Sequence, residues 1–415
     1  MKLQRDRLYS RAGEYLEQQA GYRAYLPRDL PPAPPLTMEA PLVGILCAAE
    51  RSLGRLTGYA ETLADPGGLA QLALRAEAVI SGRLDGAAVS LTDLLLWELD
   101  GRHGLDREQL FRGEVRMAGN GVDAENWGLR QVAGGDGIST VLMMQLHARL
   151  FKGLRGRESG AGQLRRAEIW IGPSGSTLAT AAYVPPPPDM VPDLMRSLER
   201  FIQADAPSLP PLVGAACIYY QLEAIHPFLD GSGRLARLMI PLILHREGVA
   251  LPQLLGLSAC FARDRTEHFR RLQLVRERGD WESWVLHFGT LLRDSARAGS
   301  ALLVEEAGVL DNHEEQILRQ EPTVRDTAIP LLRHLASHPI ISVPQVAQVC
   351  GRSFANANLL VGRLEALGIV IFSSHNASNL GNAKRVISTA AADRDNPRRA
   401  RQLRARKPST RSRCN

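Results

Sequence analysis

Twelve residues in the middle of the chain restrict its fold and function more than any other segment. The run from His226 to Arg237 reads HPFLDGSGRLAR. Gly231 and Gly233 permit a tight turn between two helices, and the N–H groups of such a turn, together with the positive end of the next helix, bind anions. Arg234 and Arg237 are three residues apart, so both project from one face of the first helical turn. The segment therefore predicts a phosphate site at the start of a helix.

A base and an acid flank that turn. His226 ends the preceding helix, and a histidine with a pKa near ~6.5 can accept a proton at neutral pH. Asp230 offers the oxygen ligands that Mg²⁺ prefers when it bridges phosphates. A Gly-Ser-Gly turn or a His-Pro pair alone is also typical of an ordinary helix end. The combination of a base, a metal ligand, a phosphate cradle and two arginines favours a site for phosphate chemistry.

This segment, residues 226–237, resembles the Fic signature HxFx(D/E)GNGRxxR and is called the signature segment below. Members of the Fic family mostly transfer AMP from ATP to a protein hydroxyl. The resemblance implies that His226 is the catalytic base and that Asp230 holds Mg²⁺. It also implies that ATP is bound by the remaining polar and glycine positions of the motif, which are Gly231, Ser232, Gly233, Arg234 and Arg237.

One position of the signature segment departs from the family pattern. Ser232 stands where the family has an asparagine, whose side chain contacts the α-phosphate. A serine is shorter but can still donate one hydrogen bond. The replacement therefore concerns the rate of transfer and the geometry of the nucleotide more than the fold.

A second segment, residues 81–86, reads SGRLDG and resembles the family's inhibitory motif (S/T)xxxE(G/N). Its acid in the family pairs with the second signature arginine and blocks the γ-phosphate. The resemblance implies inhibitory roles for Ser81, Asp85 and Gly86, and a pair between Asp85 and Arg237. Aspartate is one methylene shorter than glutamate, which predicts a stretched pair and incomplete inhibition unless the helix lies closer. Without the resemblance, residues 81–86 are an ordinary helix end with Gly86 as its cap.

The resemblance covers roughly residues 20–390, and it includes a flap. In this flap segment, residues 167–184, EIWIG alternates and ATAAYV returns after a turn, which predicts a β-hairpin. Ile169, Trp170 and Ile171 would bind the backbone of a target protein by strand addition. A plain surface hairpin is the alternative.

The predicted architecture is mostly α: a Fic-type helical core with a β-hairpin flap, then a C-terminal winged helix-turn-helix domain. The proline-rich LPRDLPPAPPL predicts an extended N-terminal arm, and one helix is predicted to end at Ala298, before a separate connecting helix. The predicted domains are an N-terminal arm and helical region with the inhibitory helix at 1–110, the catalytic core at 111–300, a linker helix at 301–325, the winged helix at 326–392 and a basic, disordered tail at 393–415.

The partners of the C-terminal part stay open at this stage. The predicted recognition helix carries Asn356, Asn358 and Arg363, which suits DNA, but the region has no marked positive excess, so dimerisation or target docking is an equal alternative. Residues 394–415 hold nine Lys or Arg and one Asp. Their net charge of +8 (9 − 1) exceeds the net charge of +6 of the whole chain. A solvated end and a weak, sequence-independent contact with nucleic acid both fit this tail.

Composition excludes several classes of protein. Hydrophobic residues make up 45% and charged residues 23%, as in globular proteins and unlike collagens or disordered chains. The chain lacks a run of roughly 18 apolar residues, and its start lacks the apolar stretch of a signal peptide, so no membrane span is expected. The five scattered cysteines include no CxxC, which favours a reducing cytoplasm and argues against a zinc site.

The sequence favours an Mg²⁺- and ATP-dependent adenylyltransferase that modifies a Ser, Thr or Tyr hydroxyl of a partner protein or of itself, and a homodimer is open. Two other classes of function compete with this interpretation. One is a DNA-binding regulator in which the Fic core only senses nucleotide. The other is a Fic enzyme that uses a different donor or removes AMP.

Overall fold

The computed structural model describes residues 9–63, 65–99, 109–154, 160–204, 209–373 and 385–388. These residues are mostly helical and divide into two compact units. The first unit holds the described residues up to Thr62, with Ala73–Val89 and Gly113–Ala301; the second holds the described residues of the remainder. The helices are α1 Ala40–Thr62, α2 Pro66–Leu84, α3 Leu91–Leu99, α4 Gln109–Ala133, α5 Thr140–Leu150, α6 Val191–Ile202, α7 Pro211–Ile225, α8 Ser232–Arg246, α9 Leu257–Arg263, α10 Arg265–Arg278, α11 Trp281–Gln320, α12 Arg325–Ser337, α13 Val343–Cys350 and α14 Phe354–Ala366.

Helix α7 lies at the centre of the first unit. Every residue from Ala215 to Ile225 is buried, in agreement with a sequence that is apolar on more than one side. Helix α8 packs against it and is itself buried from Leu235 to Leu244. Two tryptophans of α11 cover α7 from another side, with ring centroids 5.8 Å apart for Tyr219–Trp284 and 4.6 Å apart for Tyr220–Trp281. The signature segment therefore begins and continues on two rigid elements.

Helix α4 was not predicted from the sequence, because its glycines lower helix propensity by up to ~1 kcal/mol each. The structure gives a packing reason for one of these glycines, Gly128. A Cβ atom there would lie 2.8 Å from Leu242 of α8, whereas one on Gly121 would make an ordinary contact, 3.5 Å from the Cβ of Ala78 in α2. Close packing against neighbouring helices therefore stabilises α4 in spite of its composition.

The N-terminal region contains strands that the proline content did not predict. Strands β1 Tyr9–Ser10, β2 Gly13–Glu17 and β3 Arg23–Pro27 form an antiparallel sheet in that order, with Tyr15 opposite Tyr25. Tyr25 is completely buried, and its hydroxyl lies 3.1 Å from the hydroxyl of Tyr220 in α7. The sheet thus packs on the central helix, and the prediction of an extended arm over this stretch is wrong.

The flap segment contains less strand than predicted. A single antiparallel bridge joins Ile171 to Tyr183, with N···O distances of 2.8 and 3.0 Å. Pro173, two residues after Ile171, has no N–H to continue the pairing. Local turns occupy most of the chain between the two bridged residues. Tyr183 is buried and its hydroxyl donates to the carbonyl of Ala224, which attaches the flap to the end of α7.

Two helix boundaries differ from the sequence pattern. The sequence pattern predicts one helix from Phe261 to Arg278, but the structure has two, because Asp264 leaves helical geometry and its carboxylate accepts a hydrogen bond from the N–H of Glu267, which starts α10. Conversely, the two helices predicted on either side of Ala298 are a single 40-residue helix, α11.

From Arg325 onward, the described residues of the second unit form three α-helices and a three-stranded sheet. Helix α12 is followed by β4 Ile340–Ser342, helices α13 and α14, and strands β5 Val370–Ser373 and β6 Arg385–Ser388, in the sheet order β4-β6-β5. Buried Leu331, Val346 and Leu360 belong to its apolar core. The sequence pattern predicts three helices followed by two strands; β4 is an additional strand between the first two helices, and assignment to the winged-helix class stays a prediction.

Among the described residues, no helix is long and apolar enough to cross a membrane. Four cysteines of the described ranges are free thiols, Cys47, Cys217, Cys260 and Cys350. The basic tail, with the fifth cysteine Cys414, lies outside the described residues.

Two glycines of α11 should respond oppositely to alanine. A Cβ on Gly299 would lie 2.6 Å from the carbonyl oxygen of Leu254, whereas nothing lies within 4 Å of one on Gly308. Gly299→Ala should therefore lower the free energy of unfolding by about 1–3 kcal/mol, and Gly308→Ala should raise it by up to about 1 kcal/mol. Urea titration of both variants measures this, and two changes of the same sign would contradict the packing described here.

Candidate active site

The signature segment starts where α7 ends. His226 ends this helix with φ 48° and ψ 65°, the left-handed region, and it is the only residue other than glycine with positive φ in the described ranges. Such a conformation costs of order 1–3 kcal/mol and is most often kept at functional sites. The next residue, Pro227, also disfavours helical geometry at His226 and so contributes to ending the helix there.

The imidazole of His226 has the protonation state that a base needs. Burial, followed by the positive charge of Arg165, lowers its pKa to about 4. At neutral pH the ring is therefore uncharged, with a lone pair available for a proton. Its Nδ1 is buried and has no hydrogen-bond partner among the described residues. A neutral, partly exposed imidazole beside a phosphate cradle can act as a general base.

Gly231 and Ser232 form the turn into α8. Gly231 has φ 79°, and a Cβ atom there would lie 2.6 Å from the ring of Phe151, so this position requires glycine on both counts. Gly233 follows in the first turn of α8. The N–H groups of residues 231–233 are those that the sequence predicts to bind phosphate.

The side chain of Ser232 closes the loop instead of facing a ligand. Its Oγ accepts from the N–H of Phe228 at 2.9 Å and donates to the carbonyl of Phe228 at 3.2 Å, and the residue is 2% exposed. The expectation that this hydroxyl donates a hydrogen bond to a phosphate is therefore corrected: the hydroxyl is engaged within the loop. A contribution of Ser232 to nucleotide binding would come from its backbone N–H.

The two signature arginines converge on the inhibitory segment. Asp85 Oδ2 accepts from Arg234 Nε at 2.8 Å and from Arg237 Nη2 at 2.9 Å. Ser81 adds two acceptors for Arg237: its Oγ lies 2.8 Å from Nε and its carbonyl oxygen 3.0 Å from Nη2. Gly86 follows with φ 92° at the end of the helix. The distances are those of ordinary charge-assisted bonds, so the pair is not stretched, which is the outcome expected when the helix lies closer.

Helix α2 is fixed at a further point on the same face. Glu77 lies four residues before Ser81, and its two carboxylate oxygens accept from the N–H of Ser258 at 3.1 and 3.0 Å. Burial raises the pKa of Glu77. Glu77, Ser81 and Asp85 therefore repeat at one-turn spacing and all contact the first unit's other elements.

Asp230 is exposed directly before the glycine turn. No group of three or more His, Cys, Asp or Glu side chains that could hold a metal ion occurs in the described part of the chain. A single accessible carboxylate fits Mg²⁺, which keeps several waters and takes other ligands from substrate phosphates. It does not fit zinc, which in proteins needs three or four side chains.

His147 of α5 contributes to the site and was not predicted from the sequence. Its ring stacks on Phe228 at 3.8 Å, Nδ1 accepts from the N–H of Gly162 at 2.9 Å, and Nε2 lies 2.8 Å from the carbonyl oxygen of Asp230. Because Nδ1 accepts, Nε2 carries the hydrogen and donates to Asp230. The available signal was a histidine on the apolar face of an amphipathic helix, four residues after Met143.

The predicted flap residues lie on the surface of the first unit. Trp170 and Ile171 are 46% and 37% exposed, and Ile169 is half-buried. The indole N–H of Trp170 donates to the carbonyl of Ser176 at 2.8 Å, which keeps the ring on the flap. Ile171 forms the bridge to Tyr183 described above, so the other edge of this short stretch faces away from Tyr183.

Comparisons with known proteins agree with this arrangement. A sequence model of the Fic/DOC family matches residues 137–244, and one of the Fic/DOC family N-terminal region matches residues 45–129. A model of the Mur ligase family catalytic domain matches residues 345–414, outside the site. A crystal structure of a Fic family protein from Desulfovibrio desulfuricans shares the fold, with a TM-score of 0.54 and 20% identity over 85% of this chain and 98% of that one.

Curated relatives match a shorter stretch. The protein adenylyltransferase Fic of Drosophila persimilis is 31% identical over 147 residues, which is 34% of this chain and 25% of that protein. The protein of the same name from Drosophila ananassae is 30% identical over the same shares. The chain thus spans about a quarter of the length of these relatives. The fold is that of Fic proteins, and residues 45–129 and 137–244 match the two Fic/DOC family models.

Replacing Ser232 by alanine should destabilise the protein. The change leaves the N–H of the fully buried Phe228 without its partner, which costs about 1–3 kcal/mol. Chemical denaturation measures the loss. Ser300→Ala is the control, since it removes only a 2.8 Å bond to a carbonyl one helical turn earlier, and it should change stability by less than about 0.5 kcal/mol. Equal effects would show that Ser232 does not hold the loop.

Proposed function

We propose that this chain is an adenylyltransferase that moves AMP from ATP to the hydroxyl of a Ser, Thr or Tyr side chain, in a partner protein or in itself. The observation that carries the proposal is the neutral His226 at the end of α7, directly before a helix start with two arginines. The Drosophila relatives are named as protein adenylyltransferases, which supports the same reaction.

In the proposed reaction, His226 accepts the proton of the acceptor hydroxyl. The hydroxyl oxygen then attacks the α-phosphorus of ATP, the bond from that phosphorus to the oxygen bridging the β-phosphorus breaks, and pyrophosphate leaves with the bridging oxygen. The N–H groups of residues 231–233 bind phosphate oxygens, and Arg234 and Arg237 stabilise the charge on pyrophosphate. The rate would come mainly from orientation and from charge stabilisation by groups fixed in advance.

Asp230 is the residue that would hold Mg²⁺ in this site. When bound, the ion would neutralise part of the charge of the leaving pyrophosphate. The side chain is exposed beside the turn, and its backbone is held by the 2.8 Å contact with His147. The carboxylate is therefore accessible to an ion that arrives together with the nucleotide.

We further propose that the inhibitory segment, residues 81–86, limits this activity. A single oxygen of Asp85 engages both signature arginines, at 2.8 and 2.9 Å. In that state a single carboxylate of the protein pairs with both guanidiniums. A nucleotide phosphate would have to displace Asp85 before it could bind them in the same way.

Label retention tests the reaction and the inhibition together. Purified protein with Mg²⁺ and a cell extract is incubated with ATP labelled at the α-phosphate, and separately at the γ-phosphate. We expect protein-bound α-label but no γ-label, a loss of at least ~100-fold in His226→Ala, and a gain of about tenfold or more in Asp85→Gly, because the arginines are released. Asp136→Gly, a change at an exposed aspartate in a loop, should match the wild type.

Each other result of this assay favours a different function. Retention of the γ-label would indicate phosphorylation. No retained label in any variant would favour the nucleotide-sensing DNA-binding regulator or a different donor. No gain in Asp85→Gly would show that residues 81–86 do not inhibit the enzyme.

The flap gives a separate prediction. Ile171→Pro removes the N–H that donates to the carbonyl of Tyr183 at 2.8 Å, whereas Ile171→Ala keeps it. If the flap orients the target by its backbone, the proline variant should lose roughly tenfold or more in target labelling with unchanged affinity for ATP. The alanine variant should retain most labelling. Equal losses of labelling and of ATP affinity in the proline variant would refute this role.

A further inference from the structure

A buried arginine outside the signature segment organises the catalytic end of α7. Arg165 is 3% exposed, and none of the ion pairs among the described residues includes it. All the hydrogen bonds of its guanidinium go to backbone carbonyl oxygens. Nε donates to His226 at 2.8 Å, and Nη2 donates to Ile225 at 3.3 Å and to Pro186 at 2.6 Å. A buried charge used in this way has a specific structural task.

The first task follows from the sequence after α7. The last carbonyl groups of a helix need donors, and these commonly come from the N–H groups of the residues that follow. Pro227 has no N–H, so the residue after the left-handed His226 cannot supply one. Arg165 supplies the donors for His226 and Ile225, and its own N–H donates to the carbonyl of Pro227 at 2.9 Å.

The second task concerns the flap. Arg165 Nη1 donates to the carbonyl of Ala167 at 3.3 Å, at the beginning of the flap segment, and Nη2 reaches Pro186, just after its end. The same planar group therefore contacts both ends of the flap and the backbone of His226. A guanidinium offers five donors in a rigid plane, and a lysine ammonium cannot reproduce these directions.

The third task is electrostatic. After burial, Arg165 is the largest influence that lowers the pKa of His226, to about 4. Three other groups act on the pKa of this imidazole: a hydrogen bond with the backbone of Glu223 and the charge of Asp85 raise it, and the charge of Arg276 in α10 lowers it. Arg165 therefore helps to keep the ring neutral.

We propose that Arg165 is a positioning residue for the transfer reaction: it fixes the left-handed backbone of His226 and holds both ends of the flap in register with it. The inference rests on the proposed function and adds to it a residue that acts through the base and the flap. In this role Arg165 contacts the backbone of the base and of the flap, and it would not contact ATP or the acceptor hydroxyl.

Two substitutions separate the shape of the side chain from its charge. Arg165→Lys keeps the charge and loses the planar fork, whereas Arg165→Met loses both. We compare them in an Asp85→Gly background, which removes the proposed inhibition. Arg166→Met is the control, because this neighbouring arginine is exposed. Thermal melting establishes that each variant is folded.

In Arg165→Lys we expect kcat for AMP transfer to fall by about 10- to 100-fold, since the base and the flap lose their register, while KM for ATP changes by less than threefold. Arg165→Met should show a similar or larger loss. Without the positive charge, His226 binds a proton more easily, so its pKa should rise from about 4 toward ~6.5. The acid limb of the kcat profile then moves to higher pH in Arg165→Met and stays in place in Arg165→Lys.

NMR titration of ¹³C-labelled histidine follows the His226 ring directly, with His226→Ala identifying its signal. This measurement does not require activity, so it separates a failure of the proposed function from a failure of the role of Arg165. Wild-type kcat in Arg165→Lys would overturn the proposal, and so would an unchanged His226 titration in Arg165→Met. If Arg165→Met does not fold, the kcat and KM of Arg165→Lys decide.

Discussion

The site depends on two buried helices that meet end to start across a six-residue loop, residues 226–231. The C-terminal end of α7 is the negative end of a helix dipole, and the N-terminal end of α8 is the positive end of another. The proposed base His226 lies at the first end, where Arg165 supplies positive charge, and the proposed phosphate cradle lies at the second. Because α7 is buried along its length, neither end can shift without disturbing the core.

After this loop, the first turn of α8 carries the two signature arginines, whose positive charges are paired within the protein. The two signature arginines are mostly buried, with side chains 15% and 7% exposed, and both pair with the same carboxylate. In this structure that carboxylate belongs to Asp85, which directly follows α2. A nucleotide would bring several negative charges to the same place. The proposed substrate and the proposed inhibitor therefore satisfy the same electrostatic requirement, which explains why one carboxylate can compete with a phosphate.

Much of the site could be predicted because its chemistry is local in the sequence. His226, Asp230, the glycines and the arginines occupy twelve consecutive residues, and a short motif carries Asp85. The residues that were missed act over long sequence distances: Arg165 contacts His226 from 61 residues away and His147 contacts Asp230 from 83. Helix α4 was missed for a related reason, since one of its glycines, Gly128, is explained only by the helix packed against it. The loop-closing hydroxyl of Ser232 likewise depends on a geometry that the motif does not state.

The spacing of contacts along α2 has a consequence for how regulation would operate. Glu77 is held by the N–H of Ser258, and Ser81 and Asp85, which follow at one-turn spacing, are both held by Arg237. A stiff helix transmits displacement along its axis, so a shift that frees Asp85 also strains the contacts of Ser81 and Glu77. Intermediate positions would forfeit bonds without gaining new ones. If residues 81–86 inhibit the enzyme as proposed, two arrangements, with Asp85 bound or released, would be favoured over intermediate ones, and nucleotide would change the proportion of molecules in each.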